Sequence, residues 1–130
     1  VGIAYEPLRR PAWVEVRIED GALPAATYRI QATVVDAQGR ESAACAVQIE
    51  GSALPHGLTA RLPYAPEGAA GWNLYLSDDG GATGLQNAAP LGLAEEWTLP
   101  LTGVITGRPP GEGQAADEVV RASGSVLLRG

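Results

Sequence analysis

The chain predicts an all-β fold, an antiparallel two-sheet sandwich of about seven short strands, and three observations carry that reading. Apolar and polar residues alternate at a period of two through several short runs, 17 Gly and 10 Pro fall between these runs rather than inside them, and no window carries an apolar stripe at helical spacing. The length of 130 residues suits one domain. Leu, Ile and Val together number only 29, beside 22 Ala, so the large side chains must be concentrated on inward faces if a core is to form.

Residues 1–12, with Pro7 and Pro11, read as an extended lead-in. From Trp13 the run alternates strictly, placing Val14, Val16 and Ile18 on one face and Glu15, Arg17 and Glu19 on the other, and Asp20-Gly21 is expected to close this strand. Residues 27–35 give the second strand, with Tyr28, Ile30, Ala32 and Val34 inward. Asp36-Ala37-Gln38-Gly39 turns the chain, and residues 41–50 are expected to return as an antiparallel partner with Ala43, Cys45, Val47 and Ile49 inward.

A loop at 51–57, holding the only histidine, His56, leads to a strand at 58–62, and a Pro- and Gly-containing loop follows at 63–71. Residues 72–77 place Trp72, Leu74 and Leu76 inward and Tyr75 outward, and Asp78-Asp79-Gly80-Gly81 supplies a tight turn. A weaker strand is expected at 84–89 and another at 96–99, with Trp97 and Leu99 inward. The sandwich therefore spans residues 13–107. Residues 108–130 form a linker rich in Pro and Gly and then a C-terminal hairpin turning at Ser123-Gly124, which needs a neighbouring surface because an isolated hairpin is marginal in water. Both ends read as connections to something larger.

The composition excludes several chemistries. All nine basic residues are Arg, so there is no lysine for a phosphate loop, a Schiff base, a kinase-type site or an isopeptide bond. One His and one Cys cannot build a zinc site from those residue types or an intrachain disulfide. A net charge of −6 argues against a nucleic-acid partner, and no run approaches the ~18 apolar residues of a membrane span, so no membrane insertion is expected.

Each remaining candidate for chemistry has a simpler structural reading. Gly111-Glu112-Gly113-Gln114-Ala115-Ala116 matches a dinucleotide fingerprint only formally, since Pro109-Pro110 stands where the preceding strand should be. Asp36, Asp78 and Asp79 lack the alternating spacing of a calcium loop and are read as turn formers. His56, without a nucleophile elbow, is read as a surface-loop histidine, and Cys45 as a small inward filler. No catalytic residue, cofactor site or metal site is assigned. Trp13 and Tyr75 fall on outward faces and are the candidate contact surface, together with Val119, Val120, Val126, Leu127 and Leu128 of the terminal hairpin.

Gly21-Ala22-Leu23-Pro24-Ala25-Ala26-Thr27-Tyr28, continuing to Asp36-Ala37-Gln38-Gly39-Arg40-Glu41-Ser42, resembles the "G-x-L-P-A-G-T-Y … V-D-x-x-G-R-E-S" hairpin of fibronectin type III-like modules in tailed-phage virion proteins. Trp72-Asn73-Leu74-Tyr75-Leu76-Ser77 with its Asp-Gly turn is similar to their "N-V-Y-R/L-S-x-x-G-G" strand, and Gly107-Arg108-Pro109 to their closing "G-R-P". The likeness covers about residues 20–110 and departs at Ala26, where those modules usually have Gly.

The resemblance implies an immunoglobulin-like or fibronectin III-like sandwich acting as a non-enzymatic structural module on a tail or capsid surface. Its partners would be other virion proteins in a multi-copy assembly, and it brings no catalytic residues. The alternative is a secreted or surface-displayed sugar-binding module, using Trp13 and Tyr75 against a host-surface glycan.

Overall fold

The computed structural model describes residues 8–113, and among these there is no helix. Seven strands form, β1 (Glu15–Leu23), β2 (Ala26–Asp36), β3 (Gln48–Ser52), β4 (His56–Arg61), β5 (Ala69–Ser77), β6 (Gly84–Leu85) and β7 (Trp97–Thr98). They build a three-stranded sheet in the order β1-β4-β7 and a four-stranded sheet in the order β3-β2-β5-β6, with every pairing antiparallel.

The two inner faces make one core. Val14, Leu23, Leu58, Ala60 and Leu99 come from the first sheet and its flanks, and Tyr28, Ile30, Ala32, Val34, Trp72, Leu74 and Leu76 from the second. These are the faces that the period-two alternation selects. Each fully buried large side chain is worth about 1.5–3 kcal/mol, so a lean chain suffices when its bulky residues all point the same way. Trp72, the largest of them, is wholly buried and donates its indole N–H to Gly92 O at 2.9 Å.

Three departures from the sequence reading shape the surface. Asp20-Gly21 does not end β1, which runs on to Leu23 through an irregularity in its pairing with β4. Gly21 is there for close approach, since a Cβ on it would lie 2.6 Å from the His56 carbonyl group and the Gly57 nitrogen.

The second departure is in the hairpin of β2 and β3. Near the turn Ser42 N donates to Val34 O, but by β3 the partners are Ile30 with Gln48 and Tyr28 with Glu50, so the register has slipped by two residues across the irregular stretch 42–47. Each one-residue slip exchanges the faces, so a slip of two restores them: Ile49 opposite Arg29 shares the outer face with Glu41 opposite Val35, and Cys45 turns inward only within the irregular stretch. Ser42, Cys45 and Gln48 turn inward, while Val47 and Ile49, expected inside, stand 39% and 63% exposed. Two amides hold the slip in place. Gln31 Nε2 donates to Cys45 O at 2.9 Å, and Gln48 grips Val14 by accepting from its N–H at 2.7 Å and donating to its carbonyl at 2.8 Å.

Third, residues 104–108 lie back against β6. Ile105 exchanges two hydrogen bonds with the Gln86 side chain, and Leu85 N donates to Arg108 O at 2.9 Å. Gly107 permits this, because a Cβ there would fall 2.2 Å from Leu85 O. The end of the expected sandwich, together with Arg108 at the start of the expected linker, is thus a strap packed on the edge of the sheet.

Candidate functional site

The outer face of the four-stranded sheet carries the densest polar cluster among the described residues. Thr33 pairs with Asn73 across β2 and β5, and Tyr75 lies two residues beyond Asn73, so strand periodicity puts all three on the face away from the core. Glu41, bridged to Val35 just after the β2 turn, reaches over them. Its Oε2 accepts from Thr33 Oγ1 at 2.6 Å, from Asn73 Nδ2 at 3.0 Å and from the Tyr75 hydroxyl in a short hydrogen bond. Its Oε1 accepts from Arg108 Nη2 of the strap at 3.0 Å, and the same guanidinium stands 5.6 Å from the Tyr75 ring centroid.

The surroundings complete the pairing. Asn87 Nδ2 donates to Asn73 Oδ1 and to Ala89 O, both at 2.9 Å, while its Oδ1 accepts from Leu74 N at 2.8 Å. Gln31 Oε1 accepts from Thr83 Oγ1 at 2.7 Å. Burial on its own drives the Glu41 carboxyl upward, but the hydrogen bonds from Thr33, Tyr75, Asn73 and Arg108 outweigh it and leave its pKa below the ordinary value. The Tyr75 hydroxyl is pushed up to about 12, first by burial and then by its bond to the Glu41 carboxylate. A lowered carboxylate beside a raised phenol fixes both in the protonation states that bond best. That is the electrostatics of a clamp rather than of a proton-transfer pair poised near neutrality.

His56 is the clearest correction. It opens β4, is 1% exposed and accepts at Nε2 from the Tyr28 hydroxyl at 2.7 Å. Its Nδ1 lies 3.0 Å from Leu54 O, which can only accept, so the ring proton sits on Nδ1. Both ring nitrogens are therefore engaged within the fold. Cys45 is buried as expected, its Sγ accepting from Ala32 N at 3.3 Å, and burial raises its thiol pKa.

The aspartates serve turns. Asp36 accepts from the Gln38 and Arg40 backbone N–H groups and from the Arg40 guanidinium, and Asp79 accepts from Gly81 N. Asp36 sits opposite Ala69 at the start of β5 and Asp78 follows Ser77 at its end, so these two turns cannot share an ion. No group of three or more His, Cys, Asp or Glu is placed to hold a metal among the described residues.

Of the candidate contact residues, Trp13 is 43% exposed, while Tyr75, expected outward and accessible, is fully buried beneath the strap. Alternation put Tyr75 on the outer face correctly; the strap covering that face was not legible in it. Val119, Val120, Val126, Leu127 and Leu128 lie outside the described residues. A groove of about 470 Å³ at one end of the sandwich is lined by both charge signs, including Arg9, Asp36, Arg40 and Glu67. Comparison with family models, curated proteins and solved structures finds no match to the chain.

Proposed function

We propose that the chain is a non-enzymatic structural and interaction module of a tailed-phage virion, an immunoglobulin-like or fibronectin III-like sandwich that docks to neighbouring subunits through its terminal segments. The observation that carries this reading is the convergence on Glu41. Glu41 belongs to the "G-R-E-S" segment, Asn73 and Tyr75 to the "N-x-Y" strand and Arg108 to the closing "G-R-P", and one carboxylate joins all three. The motifs behind the resemblance are thus used inside the fold, as befits a scaffold whose signature residues hold it together.

The strand order adds support. Taking β1 to β6 as B, C, C′, E, F and G, the four-stranded sheet runs C′-C-F-G, and β1 and β4 pair as B with E. β7 takes the place beside E that strand D holds in constant-type domains. The sugar-binding alternative is weakened, because burial of Tyr75 leaves it with Trp13 alone.

Docking would proceed by burial of the terminal segments against neighbours, with strand addition as the mode for residues 118–129. The test compares incorporation of the tagged full chain and of a chain lacking residues 114–130 into purified tailed particles. Truncation at 114 leaves Arg108 and its bond to Glu41 intact. Incorporation of the full chain and its loss on truncation is the expected result; equal incorporation of both, or none of either, contradicts the reading.

A further inference from the structure

We propose that the open edge of β3 is the acceptor for residues 118–129 of a second copy of this chain, taken up as an added strand. The inference rests on the docking role proposed above and names the surface that receives the docking segment. β3 is the terminal strand of its sheet, hydrogen-bonded to β2 on one side only. Sheets commonly guard such an edge with charge, proline or a covering loop.

Here apolar side chains stand outward instead, Ile49 lying opposite Arg29 on the outer face. Val47 and Ile49 are exposed, Leu54 just beyond the strand is 71% exposed, and Trp13 stands next to Val14, which Gln48 grips from between Val47 and Ile49. Four of the seven large hydrophobic side chains exposed among the described residues therefore flank this one short strand.

The occupant follows from where the described chain stops. Gly113 packs on Ala43, a Cβ on it lying 3.3 Å from Ala43 N, so the tail departs five residues upstream of β3 on the same side of the molecule. Residues 114–117 can span about 13 Å at ~3.3 Å per residue. That reach is long enough for Val119 and Val120 to meet an adjacent edge.

Within its own subunit, a segment starting beside Ala43 and advancing along β3 would run parallel to it. Against the β3 of a copy related by a two-fold axis perpendicular to the strand it runs antiparallel, the better-bonded arrangement. The segment supplies apolar Val119, Val120, Val126, Leu127 and Leu128, and its Arg121 and Arg129 outnumber Glu118. The acceptor strand carries Glu50 on a chain whose net charge is −6. Backbone hydrogen bonds would give affinity, and the apolar flank would give register.

The test is sedimentation velocity on the intact chain over a concentration series. Reversible dimerisation is expected, weakened at least about tenfold by Ile49→Lys and by the pair Val126→Lys and Leu128→Lys, and unchanged by Ile105→Lys, an exposed site beside β6 at the opposite edge of the sheet. Retained far-UV circular dichroism and urea midpoint would establish that the variants fold. Mixing an Ile49→Cys chain with a Leu127→Cys chain, both with Cys45→Ala, should give a disulfide-linked heterodimer.

A monomer at every concentration, a dimer indifferent to Ile49→Lys, or crosslinking only when both cysteines share one chain would overturn the proposal. The two readings fail separately. Dimerisation as expected without entry into particles would contradict the virion role alone. Particle entry that needs residues 114–130 but tolerates Ile49→Lys would contradict the acceptor edge alone.

Discussion

Arg108 and Glu41 stand 67 positions apart in the chain and meet at 3.0 Å, Nη2 to Oε1, over the ring of Tyr75. This contact fastens the strap of residues 104–108 onto the outer face of the four-stranded sheet, and it makes Glu41 the point at which the β2 turn, β5 and the strap are joined. The Arg108 side chain is 51% exposed and that of Glu41 20%, so the ion pair alone contributes little. The hydrogen bonds beneath it, from Thr33, Asn73 and Tyr75, are the better-sheltered part of the clamp.

Removing the Tyr75 hydroxyl isolates one of those bonds. Tyr75→Phe is expected to lower unfolding stability by about 1.5–3 kcal/mol, the range for hydrogen bonds to charged groups. Tyr64→Phe, at a site 73% exposed, should change nothing measurable. Urea unfolding of the two variants beside the parent chain checks this.

The same clamp sets limits at both ends of the pH scale. Glu41 has a lowered pKa, so its contribution is present above the ordinary carboxylate value of 4.5 and is lost as pH falls through the folded value. Tyr75 has a pKa raised from 10.0 to about 12, so its contribution is complete below 10 and is lost as pH rises through about 12. Midpoints of urea unfolding against pH should fall on both limbs. Glu41→Gln should flatten the acid limb and Tyr75→Phe the alkaline one.

Gly107 and Gly111 look alike in sequence and differ in what surrounds them. A Cβ at Gly107 meets Leu85 O at 2.2 Å, whereas one at Gly111 meets nothing within 4 Å. Gly107→Ala is expected to cost about 2–3 kcal/mol and to raise amide exchange at Leu85, while Gly111→Ala stays within about 0.5 kcal/mol. Hydrogen exchange with calorimetry distinguishes them.

Tyr28→Phe leaves His56 Nε2 buried without its donor, and about 1–3 kcal/mol of stability should be lost. The imidazole resonances of His56 in NMR spectra should shift as the bond to Nε2 disappears. No such shift should follow Tyr64→Phe.

How much of this was legible depends on the range of the interaction. The alternation of Tyr28, Ile30, Ala32 and Val34 and of Trp72, Leu74 and Leu76 gave the inner faces correctly, because strand periodicity is local. The inward expectation for Val47 and Ile49 fails because the two-residue slip at 42–47 returns the strand to the outward parity that the Val35–Glu41 bridge starts with, and the Gln31 and Gln48 contacts that shape this stretch reach 14 and 34 positions away, beyond local alternation. His56 and Gly57 fall within the loop expected at 51–57, whereas in the ladder Gly57 pairs with Glu19 and His56 with Leu23, partners more than 30 positions away. The burial of Tyr75 depends on the strap, and nothing in the alternation of its own strand reports a covering segment 33 positions downstream. The available hint was compositional: Glu41, Asn73, Tyr75 and Arg108 are polar residues inside the three segments that carry the family resemblance.

The central claim is that Glu41 joins otherwise separate segments into one cooperative clamp, and a double-mutant cycle by urea unfolding, pairing Glu41→Ala with Tyr75→Phe, tests it most directly. The account expects each single change to destabilise and the pair to cost less than the sum, with a coupling of about 1–3 kcal/mol. Additivity within about 0.5 kcal/mol would contradict it.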